Sequence, residues 1–288
     1  MRHSLLGIKN VEEAATEFGT KSLNIDGLGA VISPNNYIYA VEFTGADKVH
    51  KLDTYTDTVV GIGSNLGVEH YGGSSIAPNG KIYSVPHQIS NVLVTDTSDD
   101  SQYTIGSFGA GLRLYWGSVL APNGCIYGIP YHASTICKID TSNDTVTTFG
   151  NATTAQYKFK GGVLGENGKI YCVPYYANNI LVIDTSNDTT YTIGNITVNL
   201  QYAGGVLAPN GKIYFIPYGA KNIMVVDPSD DSISTFGTFL GYPTNSDSFY
   251  KYEGGQLAPN GLIYCMPGNS RDDILIIDPS NDTYDFYD

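Results

Sequence analysis

The chain has 288 residues, and its 15 basic against 28 acidic side chains give a formal net charge of −13. This negative field disfavours a phosphate backbone as a partner, so we predict no nucleic-acid binding. No apolar run approaches the length that spans a bilayer, and we therefore expect a soluble chain without membrane insertion.

Residues 1–28 form an N-terminal segment before the first regular pattern. Its only apolar stretch, residues 5–8, is followed at once by Lys9 and is too short for the core of a signal peptide. We expect no leader and slightly favour a cytoplasmic location, although the composition alone does not decide the compartment. The uniform composition that follows has no linker-like segment and predicts a single domain over residues 1–288.

One sequence repeat then occurs six times, for example as GSVLAPNGCIYGIP and GGVLAPNGKIYFIP. The shared turn asparagine recurs at intervals of 44, 44, 44, 43 and 50 residues, at Asn35, Asn79, Asn123, Asn167, Asn210 and Asn260. A second repeated residue, the aspartate that closes a later apolar run, recurs with nearly the same spacing at Asp53, Asp96, Asp140, Asp184, Asp227 and Asp278. The chain is therefore a tandem array of one structural unit.

The fifth copy shows the predicted strands of one unit. Small and apolar residues at 204–208 predict an inner strand, and a Pro-Asn-Gly turn leads into a second strand at 212–218. A third strand at 222–227 is apolar on both faces, and the alternating segment 232–237 predicts a half-exposed outer strand. Each copy therefore predicts a four-stranded antiparallel sheet.

Six such sheets bury their faces when they are arranged radially, which predicts an all-β, six-bladed β-propeller. An open solenoid is the alternative fold. Residues 14–19 (AATEFG) repeat the pattern of the outer strands, and we predict that they close the ring by pairing in the sixth blade. The other candidate for that strand is the segment 283–288, and a fragment of a longer array is the alternative to a closed ring.

The segment NGKIYCVPYYANNILVIDTSNDTTYTIG and its sister copies resemble the YVTN-type family of β-propeller repeats. The resemblance covers almost the whole chain and implies the fold. Most copies carry Pro-Tyr or Pro-His where that family has Thr-Asn, and the repeat serves many unrelated roles. No functional residue is carried over from the family.

The loops after the second strand and those before the inner strand are rich in aromatic residues, and both sets are expected on one face. Such rings bind sugars, peptides or protein surfaces with large contact area, although they could equally pack the wedges between blades. The predicted ligand-binding residues are Phe43, Tyr71, Trp116, Tyr131, His132, Tyr175, Tyr176 and Tyr218.

Positions that break the repeat are the weaker candidates for catalysis. Glu42 replaces the proline of the other five copies, and His87 and His132 lie near the same level in the next two blades. An acid with two imidazoles could bind a divalent metal in a central funnel or transfer a proton. We predict neither a metal site nor another cofactor from this cluster alone.

Other motifs have structural explanations. The Asp-x-x-x-Asp runs such as Asp140/Asp144 lack the glycine and glutamate of an EF-hand and predict strand-to-strand turns. Cys125, Cys137, Cys172 and Cys265 lack zinc-like spacing and are predicted to be buried free thiols.

Three functions follow from the sequence. The regularity of the repeats favours a non-catalytic binding or scaffold propeller whose aromatic, acidic face meets a protein or glycan. A structural or assembly component, such as part of a coat or surface layer, is the first alternative. A metal-dependent lactonase- or lyase-like enzyme is the second.

Overall fold

The computed structural model describes residues 30–41, 48–63, 71–109, 113–153, 155–196, 202–238, 251–268 and 272–287. Every regular element in these ranges is a strand, and they contain no helix that could cross a lipid bilayer. The strands form six separate four-stranded antiparallel sheets, each with its strands in chain order. The predicted all-β, six-bladed architecture is confirmed.

The strand bounds follow the six copies of the repeat. Blade one holds β1 Ala30–Ile32, β2 Tyr37–Val41, β3 Val49–Asp53 and β4 Thr58–Ile62. Blade two holds β5 Tyr71–Ile76, β6 Lys81–Pro86, β7 Val92–Asp96 and β8 Gln102–Ile105. Blade three holds β9 Tyr115–Leu120, β10 Cys125–Pro130, β11 Ile136–Asp140 and β12 Thr145–Phe149. Blade four holds β13 Phe159–Leu164, β14 Lys169–Pro174, β15 Ile180–Asp184 and β16 Thr189–Ile193. Blade five holds β17 Tyr202–Leu207, β18 Ile213–Pro217, β19 Ile223–Asp227 and β20 Ser232–Phe236. Blade six holds β21 Tyr252–Leu257, β22 Ile263–Pro267, β23 Ile274–Asp278 and β24 Thr283–Tyr287.

The inner strand starts earlier than the sequence predicts. In blade five it begins at Tyr202 rather than at residue 204, because the register shifts between Tyr202 and Gly205. Gly204 lies at this bulge with φ +74, and a Cβ added to it would lie 3.0 Å from the α-carbon of Gly254 in blade six, a very tight contact. A glycine is needed here both for its positive φ and for the close approach of neighbouring inner strands.

Blade six obtains its outer strand from its own repeat, because β24 pairs with β23 along its whole length. The segment 14–19, predicted to close the ring in this blade, lies outside the described residues. The four strands of the blade are complete without it.

Apolar wedges hold consecutive blades together. Between blades five and six, for example, Ile216 and Val225 pack against Cys265 and Leu275, and all four side chains are buried. Burying one such side chain contributes about 1.5–3 kcal/mol to the free energy of unfolding. Each wedge therefore provides a large part of the stability of the fold. The predicted free cysteines are confirmed, since all four thiols are unpaired and buried, and burial raises their pKa values.

A polar contact accompanies each wedge at the end of the blade where the inner strand turns into the second strand, which we call the turn end. In blade three the Asn123 amide donates to the Thr185 carbonyl oxygen of blade four at 2.7 Å, and the Tyr127 hydroxyl donates to Asp188 at 2.9 Å. The aspartate is the second acid of an Asp-x-x-x-Asp turn and has a positive φ of 57°. We call this pair of hydrogen bonds the interblade latch.

The latch joins each of the first five blades to the next. The Tyr-to-Asp bonds are Tyr39 to Asp100, Tyr83 to Asp144, Tyr127 to Asp188, Tyr171 to Asp231 and Tyr214 to Asp282. The first acid of the turn accepts local hydrogen bonds instead, as Asp140 does from the amide and hydroxyl of Ser142. The prediction of turn chemistry is therefore confirmed, and the second acid has an additional role between blades.

Candidate functional site

At the opposite end of each blade, the start of the inner strand lies beside the end of the second strand. The first residue of each inner strand from blade two onward pairs with a proline, and the pairs are Tyr71 with Pro86, Tyr115 with Pro130, Phe159 with Pro174, Tyr202 with Pro217 and Tyr252 with Pro267. The loops that follow the prolines and those that precede the aromatic residues therefore meet on one face, as the sequence predicts.

The residues that follow the aromatic residue in blades four and six, Lys160 and Glu253, form an ion pair. Their side chains approach to 3.6 Å although blade five lies between their sheets. An ion pair that skips a blade must pass in front of its inner strand. Blade five carries only Ala203 at the equivalent position, which leaves room for the pair.

Three aromatic rings surround the Lys160 ammonium. Its nitrogen lies 4.6 Å from the ring centre of Tyr218, 5.1 Å from that of Trp116 and 5.6 Å from that of Tyr175. Such distances allow cation–π attraction, which strengthens when water is excluded. Burial lowers the pKa of Lys160, and the Glu253 carboxylate opposes this shift only in part. The Glu253 side chain is 53% exposed.

Tyr131, Tyr175 and Tyr218 form a layer beneath the surface. The ring centres of Tyr131 and Tyr175 are 6.1 Å apart, and those of Tyr175 and Tyr218 are 5.5 Å apart. All three side chains are buried. Burial raises the pKa of Tyr131. These tyrosines pack against one another and define the walls of the site. We call the whole group, with Trp116, Lys160 and Glu253, the axial mouth.

Two of the three symmetry-breaking candidates lie beside this layer. The ring of His87 is fully buried, contacts Trp116 edge-on at 5.2 Å, and has its Nδ1 3.0 Å from the Tyr115 carbonyl oxygen. The ring of His132 stacks on Tyr131 at 5.3 Å. Both histidines therefore contact the cluster of tyrosines. Glu42 lies outside the described residues, as does the predicted contact residue Phe43.

An outer rim follows blades three and four. The Tyr157 ring meets His132 edge-on at 4.4 Å, and its hydroxyl accepts a hydrogen bond from the Arg113 guanidinium at 2.8 Å. Both Arg113 and Tyr157 have a positive φ, of 63° and 56°. This conformation costs free energy for bulky residues and is concentrated at functional sites. Tyr176 completes the rim and is 39% exposed.

Lys158, next to the inner strand of blade four, has a structural contact. It is only 1% exposed, and its ammonium donates to the Ala155 carbonyl oxygen at 2.8 Å. Burial lowers the pKa of Lys158 to about 8.

The predicted residues thus divide into two groups. Trp116, Tyr131, His132, Tyr175, Tyr176 and Tyr218 come together at the axial mouth and its rim. Tyr71 instead packs at 2% exposure in the wedge between blades one and two. Among the described residues, no three His, Cys, Asp or Glu side chains are placed to hold one metal ion.

Sequence reasoning missed Lys160 and Glu253 as site residues. The signal was present, because the position after the inner aromatic residue is the least repetitive of the inner strand. Its occupants in blades two to six are Gly72, Trp116, Lys160, Ala203 and Glu253.

No protein-family model matches the chain, and no curated protein matches it in sequence. The fold is similar to that of a catalytically inactive variant of virginiamycin B lyase from Staphylococcus aureus, solved with quinupristin. The TM-score is 0.73 with 14% identity over 92% of this chain and 85% of that chain. A streptogramin B lyase structure gives a TM-score of 0.68 with 18% identity over 83% of this chain and 75% of that chain.

A functionally unknown protein from Desulfotomaculum acetoxidans is similar at a TM-score of 0.65, with 14% identity over 92% of this chain and 86% of that chain. At such identities the likeness shows the fold alone. The resemblance to YVTN-type repeats stays a prediction.

Proposed function

We propose that the chain is a non-catalytic binding propeller whose axial mouth and rim hold a glycan or a protein surface. The observation that carries this proposal is the Lys160–Glu253 ion pair across the axis, set among the rings of Trp116, Tyr175 and Tyr218. The rings offer apolar faces for stacking, and the exposed carboxylate offers a hydrogen-bond acceptor. Buried tyrosines beneath them hold the geometry before a partner arrives, which reduces the entropy cost of binding.

The chain provides its own probe for this proposal. Trp116 is its single tryptophan, so its fluorescence reports on the axial mouth alone. We expect a binding partner found on a glycan or peptide array to change the emission of Trp116 in a saturable titration. Hits among glycans or among peptides assign the partner class, and no hit in either array contradicts the proposal.

A matched pair of variants locates the partner. Tyr176→Ala removes a rim residue that is 39% exposed, whereas Tyr55→Ala removes a residue that is 78% exposed at the turn end. We expect the first variant to weaken binding at least tenfold and the second to leave it unchanged. Equal effects of the two would place the partner elsewhere.

A lyase-like enzyme is the second candidate function. The Nε2 atom of His132 is buried and has no hydrogen-bond partner among the described residues. Burial, with the charges of Arg113 and Lys158, lowers the pKa of His132 and so favours the neutral ring that a general base requires. The likeness to structures of lyases adds a fold-level analogy.

The test of this second candidate is incubation with quinupristin, followed by chromatography. A new product that disappears in His132→Ala would support a lyase. Unchanged quinupristin would count against this substrate class and leave the binding function in place.

A further inference from the structure

Each blade has two faces that differ in sequence. We call the face toward the next repeat the forward face and the face toward the preceding repeat the rear face. Five wedges in the described part of the chain join the forward face of one blade to the rear face of the next. The forward face of blade six and the rear face of blade one belong to no such wedge.

Each of these faces carries an exposed apolar side chain. Met266 on the forward face of blade six is 52% exposed, whereas its counterparts in blades two to five, Val85, Ile129, Val173 and Ile216, are fully buried. Ile32 on the rear face of blade one is 66% exposed, although its counterpart Leu257 packs into the wedge before blade six. Two apolar faces are therefore left at the seam between the first and last blades.

The polar groups of a sixth latch are also present. Asn260 donates to the Tyr264 hydroxyl at 3.0 Å, as Asn123 does to Tyr127. Asp57 of blade one has the positive φ, 56°, that its counterparts use when they accept the latch. Yet no hydrogen bond joins Tyr264 to Asp57, although both belong to the described residues. Each side of the seam thus holds one half of an interface that the chain makes five times elsewhere.

We propose that the forward face of blade six binds the rear face of blade one of a second copy of this chain, head to tail. The occupant follows from continuity with the internal interfaces, because each of the five forward faces of blades one to five binds the rear face of another copy of the repeat. The two halves are different surfaces, so one contact leaves a free half on each molecule. Association therefore continues into short chains unless the rotation between copies closes a ring.

Cross-linking tests the direction of this contact. Glu166 of blade four and Ser229 of blade five line one groove of about 420 Å³ at an intact interface, and Pro259 and Tyr55 are their counterparts across the seam. All four native thiols are buried, so introduced cysteines will dominate the reaction with a short bis-maleimide. Glu166→Cys with Ser229→Cys in one chain is the positive control and is expected to cross-link within the monomer.

An equimolar mixture of the Pro259→Cys and Tyr55→Cys variants is expected to give covalent dimers that neither variant gives alone. If the chain carrying both substitutions instead cross-links within a monomer at every dilution, the ring closes on itself and the proposal is wrong. It is equally wrong if the seam pairs give no cross-link while the control pair does.

Light scattering provides a second measurement. We expect the mass of the unmodified chain to rise above that of the monomer with concentration. Met266→Lys places a charge on the proposed contact and is expected to shift this rise to at least tenfold higher concentration. Val60→Lys changes a residue that is also 52% exposed but lies on the outer strand of blade one, and it is expected to have no effect.

Discussion

The two ends of the blades follow opposite rules. At the turn end, five consecutive blades use the same asparagine and tyrosine to reach a carbonyl oxygen and an aspartate of the next blade. At the axial mouth, five blades place a glycine, a tryptophan, a lysine, an alanine and a glutamate at one equivalent position. The repeated end provides architecture, whereas the varied end has the asymmetry that a specific site requires.

The strongest test of the turn end is the removal of a latch tyrosine. Tyr127→Ala empties a fully buried site and removes the bond to Asp188, so we expect a loss of about 3–5 kcal/mol in the free energy of unfolding. Tyr264→Ala changes the seam counterpart, which is only half-buried and has no such bond among the described residues. Urea denaturation should show a much smaller loss for it, and equal losses would mean that the latch adds nothing.

Removing the charge of a latch aspartate is expected to lower the free energy of unfolding by a smaller amount. Asp144 accepts hydrogen bonds from Tyr83 at 2.6 Å and from Lys81 at 2.8 Å. Burial raises the pKa of Asp144, but these hydrogen bonds outweigh burial and lower it. Asp144→Asn keeps the turn and removes the charge, and we expect it to cost about 1–2 kcal/mol.

The matched control is Asp57→Asn, which changes the exposed counterpart in blade one. We expect it to leave the free energy of unfolding unchanged at micromolar concentration. A cost equal to that of Asp144→Asn would show that the aspartate stabilises its own turn rather than the contact between blades.

The pH dependence of the free energy of unfolding tests the buried position of Lys158. Its folded pKa of about 8 lies below the usual 10.5, so between these values the unfolded chain binds a proton that the folded chain does not. This lysine therefore makes the folded state more stable as pH rises from 8 to 10.5, and its cost is fully present below pH 8. Lys158→Met should remove that slope from urea-denaturation midpoints, whereas the exposed Lys221→Met should keep it.

The smallest expected effect on stability belongs to Lys160. Lys160→Met should change the free energy of unfolding by less than about 1 kcal/mol, because the desolvation cost of the ammonium offsets its attraction to the rings. The emission of Trp116 should nevertheless shift, since the charge lies 5.1 Å from its ring. Lys212→Met, at the turn end of blade five, should leave the emission unchanged.

Most of the fold could be predicted from the sequence because the repeat is local. The strand after the Asn210-Gly211 turn and the apolar strand that ends at Asp227 both appear within two residues of their predicted bounds. The bulge at Gly204 was not predicted, because the small residues of the segment indicated an inner strand but not the register shift between Tyr202 and Gly205.

The candidate site was predicted less completely. Aromatic loop residues such as Tyr131 and Tyr175 indicated the face on which the candidate site lies, but their burial depends on rings from three different blades. Lys160 and Glu253 lie more than ninety positions apart, and only the radial arrangement of the blades brings them to 3.6 Å. Spacing along the chain carries no trace of a contact that skips a blade.

The interblade latch also bears on how such a chain can grow. Each repeat carries the donors for its successor and the acceptors for its predecessor, so one copied unit already contains both halves of a new junction. A tandem duplication in the gene would therefore lengthen the array without any compensating mutation. In this design the number of blades is an easily changed trait, while the identity of each axial residue is free to diverge afterwards.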